Sequence, residues 1–315
     1  MITRTKHVFP SLANRFGVIS VIFGALLLVL SQLTSVSEVV VGKSHGMSPS
    51  VSVHRRCFIT NNFFSYEQPH SYPEGLPADF TTFYVTDNVS YAKMALELGF
   101  DFSILDTTPA LSLQFSIDTD LDESFANIAG AQRVNSGMMC RARYAPHVYY
   151  AEIRRQRCEQ VWFMDANVKE INTSYFEKFF FGAADPSKAL YVDVGYYDLP
   201  RNIVAELHHS VVQDRWAEYA AGMKNASLRY YLELDHRFGP EKKSSCRVAS
   251  AKFTGMNLEH PMLPFISEWL MEQCKVNYQG NIVLSHLACM LNSSVQSLTA
   301  LKDVPGLVEL RAHGS

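Results

Sequence analysis

The chain has 315 residues, 47% of them apolar and 12% aromatic, with a formal net charge of −3. That length allows one large domain or two small ones, and the apolar share is ample for a packed core. The slight negative charge argues against general nucleic-acid binding, which calls for a basic surface.

Phe16 to Leu30 is an uncharged apolar run, preceded by Arg4, Lys6 and Arg15 with no acidic residue. Basic residues ahead of such a run give the positive-inside pattern of a signal-anchor, with a cytosolic tail over 1–15. A bilayer span needs about 20 residues, so the transmembrane helix is placed at 16–34. A cleaved signal peptide is the alternative, with small residues at Ser35-Val-Ser37. The anchor is preferred because a short span suits thin early-secretory membranes. Both readings put the rest of the chain in the lumen of the endoplasmic reticulum or Golgi. The serine-rich stretch 35–56 reads as a stem. Acceptor sequons at Asn88, Asn172, Asn225 and Asn292 agree with a luminal body. Cys57, Cys140, Cys158, Cys246, Cys274 and Cys289 are even in number and could all pair there, with the connectivity open. No Cys-x-x-Cys occurs, which argues against structural zinc.

Folding is expected from Cys57, with Cys57–Thr60 and Thr81–Thr86 as strands. Tyr91–Leu98 has helical spacing and stops at Gly99, and Phe102–Leu105 is a strand closed by Asp106. Strand, helix and strand in that order indicate a crossover and a parallel sheet. Asp118, Asp120 and Asp122 lack the glycine and glutamate that a calcium loop requires. Ser136–Arg157 reads as helix-rich, with Arg141, Arg154, Arg155 and Arg157 on a solvated face. Val161–Met164 is an apolar run ending abruptly at Asp165-Ala-Asn167, a buried strand reaching the crevice edge. Further on are an aromatic helix at Tyr175–Phe181, a strand at Tyr191–Val194 and a long helix at Ile203–Lys224. A strand at Ala249–Thr254 and helices at Phe265–Cys274 and Asn281–Leu291 follow. Gly239–Ser245 and the tail 293–315 read as surface segments.

Asp165 and Asn167 stand at i and i+2, so in an extended segment they share a face and can address one ion or phosphate. Hard oxygen ligands of this kind suit Mg²⁺ or Mn²⁺, which also draw on substrate phosphates. With Arg143, Pro146-His147 and Trp162-Phe-Met-Asp-Ala-Asn167, the run resembles the core of GT-A-type glycosyltransferases. It is more particularly similar to a glycosyltransferase-like group, long called a domain of unknown function, from plants, bacteria and algae. Phe80–Asn88 resembles that group's second strand, which ends in Thr-Asp, and Tyr197–Arg201 with Glu206 resembles a helix entry. Trp269-Leu-Met-Glu272 and Tyr278-Gln279 stand where the group has Trp-x-x-Glu and Arg-Asp-Gln. The likeness covers 57–292. Asn167 replaces the second acidic residue of the usual Asp-x-Asp, and no Arg-Asp-Gln follows Glu272.

The resemblance implies an α/β, GT-A-like, mostly parallel sheet flanked by helices over 57–292, behind the N-terminal span. It implies a nucleotide-sugar donor, a glycan or glycoconjugate acceptor, and Mn²⁺ or Mg²⁺ at Asp165 and Asn167. Asp87, Arg143, His147 and Arg201 would join them on the donor. Glu272 would be the base that deprotonates the acceptor, with His286 next in line. The bland alternatives are a turn cap for Asp87, a buried structural role for His147 and pairing with Lys275 for Glu272. A non-catalytic binding protein on a decayed transferase fold and a luminal hydrolase remain as other readings, although Gly-x-Ser-x-Gly and His-Glu-x-x-His motifs are both missing.

Overall fold

The computed structural model describes residues 38–42, 55–63, 65, 67–107, 139–194, 248–276, 280–291, 293–298 and 308–310. Ten strands fall among them: β1 (Glu38–Gly42), β2 (Arg56–Asn62), β3 (Phe80–Thr86), β4 (Phe102–Asp106) and β5 (Gln160–Met164), then β6 (Val168–Ile171), β7 (Leu190–Asp193), β8 (Ser250–Asn257), β9 (Val295–Leu298) and β10 (Val308–Leu310). Eight form one sheet in the order β1-β4-β3-β2-β5-β8-β7-β9, and β10 pairs with β6 in a small second ladder. Strands β4, β3, β2 and β5 are parallel. β8 runs against both β5 and β7, so β7 points the same way as β5, and β9 is parallel to β7. The fold is α/β with a mostly parallel mixed sheet.

Parallel strands buried on both faces require apolar side chains on each side. One face carries Ile59, Phe83, Ile104 and Phe163, covered by Tyr150, Ile153, Leu263, Ile266, Leu270 and Leu284. The other carries Phe58, Tyr84, Trp162 and Phe253, covered by Tyr91, Ala95, Phe176 and Phe180. Helix α1 (Val89–Glu97) starts at Asn88, whose side-chain oxygen accepts from the amides of Ser90 and Tyr91. It ends before Gly99, which takes φ +108°, a conformation that favours glycine. The short helices α2 (Pro146–Tyr149), α3 (Ala151–Arg155) and α4 (Thr173–Phe176) precede α5 (Leu263–Val276) and α6 (Gly280–Met290). The aromatic segment read as one helix is α4 followed by a π turn over Glu177–Phe181, in which the Gly182 amide donates to the Glu177 carbonyl.

Two expectations about the limits of the fold are corrected. Glu38–Gly42, inside the stretch read as a stem, is the edge strand β1, antiparallel to β4. Val295–Leu298, inside the expected surface tail, is β9, with Val295 and Leu298 buried. Both are short segments whose pairing is set by the sheet rather than by local pattern. The tail 1–15 and span 16–34 lie outside the described residues, and so do the Asp118 loop and the helix expected at Ile203–Lys224. Among the described residues no helix is long and apolar enough to cross a membrane.

A disulfide joins Cys57 to Cys158 at the amino ends of β2 and β5, with Cα atoms 5.8 Å apart. Cys140 and Cys289 are disulfide-bonded as well. At mid-sheet the Trp162 indole stacks on Tyr191, centroids 5.4 Å apart, and meets Phe181 edge-on. Its cross-strand neighbour is Gly255, where an added Cβ would lie 2.6 Å from the indole Cζ3. The ring fits because that position carries no side chain. Gly255→Ala should therefore destabilise the fold by about 1–3 kcal/mol through overpacking, read as a lower denaturant midpoint. Adding Trp162→Phe should recover part of the loss.

Candidate active site

Five strands that run the same way end in oxygen-bearing side chains at one edge of the sheet. Asn61 and Asn62 close β2, Thr86 and then Asp87 close β3, Asp106 closes β4, Asp165 follows β5 and Asp193 closes β7. In α/β folds this edge opens on the crevice where ligands bind. The helical segment 139–144 lies against it and is tied to three strands. Asn61 Nδ2 donates to the Met139 carbonyl at 3.3 Å. Arg141 meets Asp106 at 3.2 Å. Arg143 Nη2 meets Asp165 Oδ1 at 2.7 Å. β4 and β5 stand three strand spacings apart, about 14 Å, so one short segment bridges that width.

The two ion pairs differ in setting. Asp106 and Arg141 are both almost wholly buried, and the Tyr150 hydroxyl adds a hydrogen bond to Asp106 at 3.0 Å. The sequence reading puts Arg141 on a solvated face with Arg154, Arg155 and Arg157; the latter three are exposed and Arg141 is not. A buried carboxylate needs a buried cation, and Asp106, ending an apolar strand as Asp165 does, was the available signal. The Asp165 side chain is 28% exposed, and its Oδ1 accepts from Arg143. The Arg143 guanidinium lies 4.6 Å from the Phe163 ring centroid. Burial alone would lower its pKa, but Asp165 and Tyr144 outweigh that and hold it above the ordinary value. Asn167, in the turn after Asp165, is 3% exposed.

The remaining expected residues are placed as follows. Asp87 is half-buried at the β3 end, close enough to Tyr84 to help raise its phenol. Burial is the main cause of that rise, opposed by the nearby Asn62 amide and reinforced by Tyr91 and Glu67. Glu272 is exposed on α5 and lies near Tyr149. Burial raises the Tyr149 phenol against Arg141, and Glu272 and Asp106 add to the rise. His286 is buried on α6 with its ring 5.6 Å from Trp269. Asn88 and Asn172 cap helices, and Asn172 is exposed. Arg201, Asn225 and Asn292 lie outside the described residues.

The donor chemistry can be tested against a divalent ion. Among the described residues no three His, Cys, Asp or Glu side chains converge as a metal cage. Mg²⁺ commonly takes only one or two carboxylates and completes its shell with phosphate oxygens and water. The partly open Asp165 carboxylate could serve as one such ligand, whereas the Asn167 side chain is buried.

No family profile matches the chain, and no curated protein matches it. Among solved structures it is similar to mouse xyloside xylosyltransferase 1 in its apo form, with 8% identity and a TM-score of 0.38. The alignment covers 78% of this chain and 84% of that one. Two chains at that score need not share a fold.

Both ring nitrogens of His147 are buried with no hydrogen-bond partner among the described residues. Burial, helped by Arg154, pushes its pKa down to about 4. An unfolded histidine takes up its proton near pH 6.5, whereas the folded one waits until about pH 4. The unfolded state therefore binds more protons between those values, and stability must fall as pH drops from about 6.5 to 4. Urea midpoints across that window should show the decline, and His147→Asn should flatten it.

Proposed function

We propose that the chain is a luminal GT-A-like glycosyltransferase, moving a sugar from a nucleotide-sugar donor to a glycan, glycoprotein or glycolipid. The observation that carries this reading is Asp165 at the end of the central strand β5, partly open to the crevice and 2.7 Å from Arg143. The sequence motifs around these residues support it. As a glycosidic bond to a diphosphate breaks, negative charge develops on the leaving group. A rigid guanidinium whose fork matches phosphate geometry stabilises that charge, and this is the role assigned to Arg143. Asp165 and Asn167 would hold Mn²⁺ or Mg²⁺, which when bound supplies Lewis-acid stabilisation of the same charge.

Asp87, beside Tyr84, is assigned to the nucleotide end, and Arg201 to the donor. His147, uncharged at neutral pH and with both ring nitrogens buried, is assigned to the donor side on the sequence motif alone. Glu272 is assigned as the base that takes the acceptor's proton. It is the exposed carboxylate on α5 near Tyr149, within reach of solvent and of an incoming hydroxyl.

Incubating the purified body with a panel of sugar nucleotides and Mn²⁺ tests the reading. Transfer or donor hydrolysis is expected, and no binding of any donor would remove it. Glu272→Gln keeps shape but not basicity, so turnover should fall about 10²-fold or more with donor affinity unchanged. Loss of donor affinity with turnover per bound donor intact would take Glu272 out of the chemistry.

The luminal placement, with a single type II span in the Golgi or endoplasmic reticulum membrane, belongs to the same proposal. It predicts a glycan at the exposed Asn172 when the full chain is expressed in animal or plant cells. A band shift on enzymatic deglycosylation, lost in Asn172→Gln, is the expected result.

A further inference from the structure

Arg143 and Asp165 form one ion pair on which two ligands would make opposite demands. A divalent cation at this edge needs the negative charge of Asp165, which Arg143 offsets at 2.7 Å. A diphosphate needs the positive charge of Arg143, which Asp165 offsets in turn. The arginine is held firmly: its side chain is buried and packs over the Phe163 ring at 4.6 Å. Its Nε–H is buried with no acceptor among the described residues. A guanidinium carries five N–H donors, so one bond to Asp165 leaves donors unspent. Asp165 is the more open partner, its side chain 28% exposed against 10% for the arginine.

We propose that Arg143 is a built-in counter-ion for Asp165, which keeps cation affinity low until a diphosphate arrives and engages the guanidinium. This rests on the transferase reading, which brings a diphosphate and a cation to the same edge, and adds how their binding is linked. A cation approaching Asp165 alone meets a guanidinium a few ångströms away, and like charges at that distance repel appreciably at a partly buried site. A diphosphate on Arg143 removes the repulsion and supplies oxygen ligands of its own. Coupling between two ligands is reciprocal, so the cation strengthens diphosphate binding by the factor by which diphosphate strengthens the cation's. The part of the coupling that passes through Arg143 disappears when its charge is removed.

The experiment measures Mn²⁺ binding to the purified body by calorimetry or electron paramagnetic resonance. It is run without nucleotide and then with UDP or GDP, corrected for Mn²⁺ chelation by the free nucleotide. Wild-type protein should bind Mn²⁺ weakly alone and at least about fivefold more tightly with the diphosphate, the lower end of usual coupling factors. Arg143→Met should bind Mn²⁺ alone at least about fivefold more tightly than wild type, with a smaller gain on adding the diphosphate. Arg143→Lys, which keeps the charge, should stay near wild type for Mn²⁺ alone. Thermal melts confirm folding, and Arg143→Gln takes the place of the Met variant if that one fails to fold. Mn²⁺ affinity unchanged or weaker in the charge-removing variant overturns the counter-ion role while leaving the transferase reading in place. A wild-type protein that binds neither Mn²⁺ nor diphosphate overturns both.

Discussion

A row of acidic side chains at the end of a parallel sheet has to be neutralised, and that constraint organises the crevice. Asp106 is buried and could not remain charged there without a cation at hand. Arg141 supplies it, and Tyr150 takes up part of the remaining hydrogen-bonding capacity. Two residues on, Arg143 does the same for Asp165. Residues at i and i+2 of a helix point about 200° apart, which is why one short segment can serve two strands standing well apart. Its position is thus fixed from both ends by charge, with the Asn61 bond to the Met139 carbonyl between them.

The pairs are not equivalent, and the difference separates scaffold from site. The Asp106–Arg141 pair is sealed, and breaking it would leave a charge in the interior; its contribution is to hold the segment in place. The Asp165–Arg143 pair is open only on its Asp165 side, where the carboxylate is 28% exposed.

The strand ends were legible because the apolar runs at Phe102–Leu105 and Val161–Met164 stop abruptly at aspartate. The end of α1 was legible from Gly99, whose backbone chemistry acts locally, whereas its start at the Asn88 cap lies ahead of the expected Tyr91. What escaped the sequence was set by distant partners. Val39–Val41 and Val295–Leu298 are too short to announce themselves, and become strands only because β4 and β7 offer them open edges. Arg141 looks like any other surface arginine until Asp106, 35 positions earlier, is seen beneath it. Asn167 reads as a ligand at a crevice edge, and the structure adds that it is buried, 3% exposed. The π turn at Glu177–Phe181 follows from packing aromatics against the sheet rather than from helical spacing.

The Cys57–Cys158 bond closes a covalent ring across 101 positions of sequence. Inside the ring are β3, β4, Asp87, Asp106 and both crevice arginines; outside it are Asp165, β8 and Glu272. A protease cutting the backbone between residues 107 and 139 would open the ring without releasing a fragment, because the severed amino-terminal piece stays bonded through Cys57. Nicked protein would travel as one molecule on a non-reducing gel and as two after reduction. The crevice is thus assembled from two halves that one sulfur bridge can keep in register after the peptide chain between them is broken.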